Sequence, residues 1–256
     1  MELKQLSIGY SGSKQDALFR EITASISSGM FIALFGRNGI GKSTLLKTMA
    51  GLLPPMGGSV LLKGSNLQKW AHSKIAREIA FVPAQTPRTP RLSVTDMVGL
   101  GRYSHTNWIG SEREIDKEII DHALEATDLK WLSHCDSSSL SDGELQRASI
   151  ARSLAQESPL IFLDEPTAFL DMGNKYKIVY LLKELTRNAN KGILFSTHDL
   201  SLALGVCDVL WIMEDHAFHV APPIQLIQKG VLDALFSSSG LSFDPVTLTY
   251  HPKNHL

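Results

Sequence analysis

Apolar residues in this chain cluster in short continuous runs. Met30-Phe31-Ile32-Ala33-Leu34-Phe35, Leu160-Ile161-Phe162-Leu163 and Gly192-Ile193-Leu194-Phe195-Ser196 have the pattern of central strands in a mostly parallel sheet, covered on both faces. Residues 1–35 read as short strands and turns closing on the first of these runs. After Pro54-Pro55 and Gly57-Gly58, Ser59-Val60-Leu61-Leu62-Lys63-Gly64 predicts a strand of a small antiparallel layer. From about Thr86 to Ser153 the period becomes helical. Ser111 and Glu114 form a capping box there, followed by Ile115, Ile119, Ala123 and Ala126 at helical spacing. Leu181, Leu182 and Leu185 predict a helix between the last two apolar strands. Beyond Ala221 the pattern weakens, Ser237-Ser238-Ser239-Gly240 suggests a loose connection, and the chain shows no internal repeat.

These elements divide the 256 residues into a core of residues 1–85 and 154–221, an inserted helical subdomain of residues 86–153, and an extension of residues 222–256. Hydrophobic residues at 43% and charged residues at 20% suit a globular chain with a substantial core. A net charge of −1 argues against wholesale binding to nucleic acid or to an anionic membrane surface. Cys135 and Cys207 supply neither a disulfide framework nor metal-site spacing, so a reducing cytosol is the expected setting. The N-terminus lacks the basic and apolar segments of a secretory signal. The longest apolar candidate, residues 192–213, is interrupted by His198, Asp199 and Asp208 and is not expected to span a bilayer. Work at a membrane would need another chain.

Three segments carry the chemistry. Gly36-Arg37-Asn38-Gly39-Ile40-Gly41-Lys42-Ser43 lies between a predicted strand and a predicted helix, the context of a phosphate-binding loop. Its glycines let backbone N–H groups surround phosphate oxygens, and the following helix presents its positive end. Lys42 would reach the β- and γ-phosphates, the Ser43 hydroxyl would ligate Mg²⁺, and Thr44 joins them in the nucleotide site. Asp164 and Glu165 end an apolar strand, where ligands sit in open parallel sheets. Adjacent strand residues point opposite ways, so Asp164 suits Mg²⁺ and Glu165 suits activation of the attacking water. In Leu140-Ser141-Asp142-Gly143-Glu144, Ser141 and Glu144 make a capping box for the helix that follows. Capping does not explain Gly143, which weakens a first helical turn, and a Ser-Gly helix start is also an anion site. Both readings stand.

In this order and spacing, the motifs resemble the nucleotide-binding subunit of ABC transporters over essentially the whole chain. Gly36–Ser43 resembles Walker A, Leu140–Glu144 the family signature, Leu160–Glu165 Walker B, Ala168–Asp171 the D-loop, and Ser196–Asp199 the switch-histidine segment. The resemblance implies an α/β fold, a P-loop NTPase (RecA-like) core with a small antiparallel β subdomain and an inserted α-helical subdomain. It implies ATP and Mg²⁺ as cofactors, Tyr10 stacked on adenine, and Asp171 within the nucleotide site. It further implies that two copies close head to tail, each γ-phosphate meeting Lys42 and His198 of one copy and Ser141 and Gly143 of the other. Two positions depart from the family pattern. Its Mg²⁺- and water-sensing glutamine usually follows Val-Pro directly, whereas Val82-Pro83-Ala84 here precedes Gln85. Gln85 either takes the catalytic and metal role through a small loop shift or is an ordinary loop residue. Asp142 stands where the signature usually has glycine, and it is expected to turn away from the nucleotide.

Gly101-Arg102-Tyr103-Ser104-His105-Thr106-Asn107-Trp108, with Leu92–Thr95 and Thr167–Asp171, resembles the ATPases of iron-chelate (siderophore), haem and cobalamin importers. That resemblance implies two polytopic permease subunits, a separate extracytoplasmic binding protein, and a peripheral place on the cytoplasmic face of a bacterial inner membrane. Tyr103 and Trp108 either pack the helical subdomain or serve its docking to the permease. Competing readings are an ABC-type ATPase acting on a ribosome or DNA, and a P-loop small-molecule kinase. One set of motifs without a heptad insert argues against the first. The Leu140–Glu144 segment argues against the second.

Overall fold

The chain begins with strands β1 (Glu2–Ile8) and β2 (Phe19–Ser25), which pair antiparallel, Leu6 opposite Ile22. A computed structural model describes residues 1–10, 17–105, 114–168, 170–215, 217–236 and 240–252. The third strand, β3 (Phe31–Gly36), is buried at every position and runs into the glycine loop and helix α1 (Lys42–Met49). Strands β4 (Gly57–Leu62) and β5 (Ser65–Asn66) join β1 and β2 in an antiparallel sheet of order β2-β1-β4-β5. Helix α2 (His72–Glu78) then leads into β6 (Ile79–Val82).

The helical insert follows as α3 (Val94–Gly99), α4 (Glu114–Ala126) and α5 (Asp142–Ala155). The chain returns through β7 (Leu160–Leu163), α6 (Met172–Asn188), β8 (Gly192–Thr197), α7 (Leu200–Val206), β9 (Val209–Met213) and β10 (Phe218–Ala221). Helices α8 (Pro223–Gln228) and α9 (Val231–Leu235) and the hairpin β11 (Leu241–Asp244) and β12 (Thr249–Pro252) complete the described chain.

The central sheet has the order β10-β9-β3-β8-β7-β6, parallel except for the edge strand β10. Strand side chains alternate between faces, so the continuous apolar runs feed two cores. Phe31, Ala33 and Phe35 pack with α6 and α7 on one face, while Ile32 and Leu34 pack with α1 and the antiparallel sheet on the other. A third cluster, including Val98, Leu124, Leu129 and Ala148, holds the insert together. Arg102 joins it to the rest of the chain. The buried guanidinium donates to buried Asp116 Oδ1 at 2.9 Å, to the Ala155 carbonyl at 2.7 Å and to Glu157 Oε2 at 2.7 Å.

Two expectations shift. On α4 the buried stripe is Asp116, Ile120, Ala123 and Leu124, while Ile115 and Ala126 face solvent. The Arg102–Asp116 pair supplies the reason, because it turns a charged position inward. The proposed cap Ser111 lies outside the described residues, as do Thr106, Asn107, Trp108, Phe169 and Ser237–Ser239. Beyond Ala221 the chain is folded onto the core despite its weak pattern. Phe236 meets Phe35 at 6.4 Å and Tyr250 at 4.6 Å between ring centroids, and the Tyr250 hydroxyl donates to the Leu232 carbonyl at 2.6 Å. Helices of five or six residues and strands of four are too short to print a period in sequence.

Candidate nucleotide site

Parallel pairing puts the carboxyl ends of β3, β7 and β8 at one edge, with Ala33 and Leu163 both level with Phe195. The glycine loop, Asp164-Glu165 and His198 therefore emerge side by side, as ligand-binding segments of open α/β sheets do. Gly39 and Gly41 take φ of +82° and +114°, left-handed values that a side chain would strain, and Gly41 is the N-cap of α1. With no side chain at the cap, the backbone N–H groups of the first turn remain available to an anion.

A cavity of about 450 Å³ opens over this helix end, lined by Tyr10, Leu18, Asn38, Gly39, Gly41, Lys42, Ser43, Thr44 and Glu165. Its size falls in the usual range for small-molecule sites. Tyr10 is more than half exposed, and its hydroxyl accepts a bond from Thr44 Oγ1 at 3.2 Å. Arg37 points outward to an ion pair with Asp215, and Ile40 turns into the core beneath the loop. Gly36 is held against Met213, whose carbonyl oxygen would stand 2.9 Å from an added Cβ.

Lys42 is buried, and Nζ donates to the carbonyls of Gly36 at 2.8 Å and Arg37 at 3.3 Å, with Glu165 Oε1 at 3.6 Å. Burial pulls its pKa below the ordinary lysine value, and the Glu165 and Asp164 carboxylates act in the opposite direction. The ammonium is thus held by acceptors that phosphate oxygens can replace.

Asp164 and Glu165 turn to different partners. Asp164 is buried, and its Oδ1 accepts from Ser43 Oγ at 2.9 Å and from Ser196 Oγ at 2.8 Å. The Ser196 hydroxyl also accepts from the Glu165 backbone N–H at 2.8 Å. Glu165 sits at φ +44°, a left-handed value that this bond helps to hold. Its carboxylate lies between Lys42 Nζ and His198 Nδ1, the latter 3.5 Å away. For Mg²⁺, Ser43 Oγ on the cavity wall and Asp164 Oδ1, buried 2.9 Å behind it, are two adjacent hard oxygens. Among the described residues no group of three His, Cys, Asp or Glu forms a metal cage. Two oxygens at an open site suit a cation that keeps water and phosphate in its shell.

Ser141, Gly143, Asp171 and Gln85 do not line this cavity. Ser141 caps α5 in a complete capping box. Its hydroxyl and backbone N–H both donate to Glu144 Oε2, at 2.7 and 2.8 Å. Those bonds, the hydroxyl's first, hold the Glu144 carboxyl below its ordinary pKa. Gly143 adjoins Asn174 and Leu170 across a narrow gap. Asp171 caps α6, accepting from the Asn174 backbone N–H at 2.9 Å, which holds its own pKa down. Gln85 is exposed on the segment after β6. Asp142 is exposed and paired with Arg88 at 2.6 Å. Reading along the chain missed Leu18 and Arg88, and it placed Ser196 in the switch-histidine segment without its bonds to Asp164 and Glu165. Only for Ser196 was there a signal, as the polar end of an otherwise apolar strand beside Asp164.

Fold and site together define a P-loop nucleotide-hydrolysing cassette: a glycine loop running into a helix end without a side-chain cap, a buried lysine, and two strand-end acids turned to different partners. The family described as "ABC transporter" matches residues 19–168, and this chain belongs to that family as an ATP-binding, ATP-hydrolysing subunit. The achromobactin transport ATP-binding protein of Dickeya dadantii is 34% identical, over 91% of this chain and 86% of the relative. The iron(3+)-hydroxamate import ATP-binding protein of Bacillus subtilis is 35% identical, over 98% and 94%. Among solved structures, cbiO1 of Clostridium perfringens, part of the ABC transporter complex cbiONQ, superposes with a TM-score of 0.78 at 25% identity, covering 93% and 94% of the two chains. A cassette solved as a dimer in a post-hydrolysis state with ADP and Pi gives 0.75 at 25% identity, covering 87% and 98%.

Proposed function

We propose that two copies of this chain close head to tail over two ATP molecules and so drive a membrane importer for chelated iron, haem or cobalamin. One observation carries the shared-site reading: Ser141 and Gly143 form an open, capped helix end that lines no part of their own chain's ATP cavity. The relatives named for achromobactin transport and iron(3+)-hydroxamate import support the cargo class.

In this reading Lys42 exchanges the Gly36 and Arg37 carbonyls for phosphate oxygens, and Tyr10 flanks the base. Arg37, Asn38, Gly39, Ile40, Gly41 and Thr44 shape the loop and first turn, whose backbone donors hold the phosphates. Ser43 and Asp164 would hold Mg²⁺, which neutralises phosphate charge when bound. Glu165 orients and deprotonates the attacking water, and His198 meets the γ-phosphate beside it. Asp171 positions the start of α6 next to the partner's site. Gln85 reaches the site only through a movement of the segment after β6 on nucleotide binding. Ser141 must release its bond to Glu144 to donate to phosphate.

Among the described residues no helix is long and apolar enough to cross a membrane, so permease subunits would supply the channel. The exposed Tyr103 suits docking to them, on the cytoplasmic face of the inner membrane. A separate extracytoplasmic protein would deliver cargo, and nucleic acid has no part. In the test, Glu165→Gln binds ATP, dimerises and turns over slowly, and co-reconstitution with the permease gives ATP-dependent uptake of an iron chelate, haem or cobalamin. A Glu165→Gln protein that stays monomeric with saturating ATP would falsify the shared-site reading.

A further inference from the structure

Asp142 lies between Ser141 and Gly143, so a carboxylate stands at the helix end that meets the partner's nucleotide in the shared-site reading. A free acid there repels phosphate. The structure sets a guanidinium against it. Arg88, on the segment between β6 and α3, sends Nη1 to the Ser138 carbonyl at 3.2 Å and to the Leu140 carbonyl, and Nη2 to Asp142 Oδ1 at 2.6 Å. One guanidinium thus grips the two carbonyls leading into the α5 cap and the acid just inside it.

We propose that Arg88 is a positioning residue for ATP-driven closure, neutralising Asp142 and holding it aside so that Ser141 and Gly143 can receive the partner's γ-phosphate. This inference rests on the shared-site reading. The pair is solvent-exposed, with 39% and 70% side-chain exposure, so it adds little to the stability of the isolated chain. Its effect comes at closure, when water leaves and like charges a few ångströms apart interact strongly. Arg88 also follows Gln85 by three residues, so the pair ties the segment after β6 to the signature helix.

The test is a double-mutant cycle in the Glu165→Gln protein, reading the ATP concentration for half-maximal dimer by analytical ultracentrifugation. Arg88→Ala should raise that concentration about tenfold with Asp142 present, and less than about twofold when Asp142→Asn removes the repelling charge. Arg88→Gln keeps a donor for the carbonyls and drops the charge, so it should follow the same pattern if Arg88→Ala does not fold. Binding of a fluorescent ATP analogue to the monomer should be unchanged. An equal loss with and without the Asp142→Asn change, or no loss in either background, overturns the proposal, as does a matching fall in monomer affinity. A parent Glu165→Gln protein that never dimerises overturns the shared-site reading, and this inference with it. A dimerising parent indifferent to Arg88 overturns this inference alone.

Discussion

Ser196→Ala removes one oxygen from the least exposed part of the site. The hydroxyl is fully buried, donates to Asp164 Oδ1 at 2.8 Å and accepts from the Glu165 N–H at 2.8 Å. A bond to a charged carboxylate is worth roughly 1.5–3 kcal/mol, and leaving a buried N–H unpaired costs roughly 1–3 kcal/mol. The two overlap, because Asp164 keeps Ser43 Oγ at 2.9 Å. A total of about 3 kcal/mol is expected, which for a chain of this size lowers Tm by roughly 6–12 °C. Activity should suffer separately. Glu165 loses the bond that helps hold φ at +44°, so its carboxylate is less often placed for water, and kcat should fall about ten- to hundredfold while KM for ATP changes less. Differential scanning fluorimetry and steady-state ATPase assays read the two effects. A Tm within about 1–2 °C of the parent with unchanged kcat would refute the bridging role of this hydroxyl, since that shift corresponds to only about 0.5 kcal/mol.

Three further outcomes follow from the site and the fold. Gly41→Ala should lose most ATP affinity, because alanine at φ +114° costs roughly 1–3 kcal/mol where the loop must hold its shape; isothermal titration calorimetry giving parent-like affinity would contradict this. Asp116→Ala leaves the buried Arg102 guanidinium without its most buried carboxylate and should destabilise the chain by about 3–5 kcal/mol, whereas a thermal melt unchanged within error would show the pair to be dispensable. Lys42 titrates below the ordinary lysine value in the free protein, and phosphate favours its charged form. ATP affinity should therefore be flat below that lowered pKa and fall as alkaline pH rises through it, with proton uptake on binding. Lys42→Arg should abolish the alkaline fall, and a pH-independent affinity in the parent would overturn the linkage.

The phosphate loop was legible because its requirements are local: glycines where φ is positive, a lysine at the first helical position, and apolar β3 before them. The acids after β7 were legible for a similar reason, since a strand running straight into Asp164-Glu165 shows its own end. The α4 face was misjudged because apolar spacing ranks Ile115 above Asp116, and only contact with Arg102 reverses that order. The folded tail escaped notice because Phe236, Phe243 and Tyr250 come together from separate short elements.

By itself the sequence determined the nucleotide chemistry and the α/β class, because glycine conformations, caps and strand ends are set by residues a few positions apart, while the order of its motifs carried the resemblance to the family. The tertiary structure decided which groups share the site. Parallel register alone brings Ser196 to Asp164 and His198 to Glu165, across 32 and 33 positions of chain. It also turned Asp142 toward Arg88, 54 positions earlier. Partners fixed by folding over such separations leave no periodic trace in the sequence, since nothing next to either residue specifies which distant group it meets.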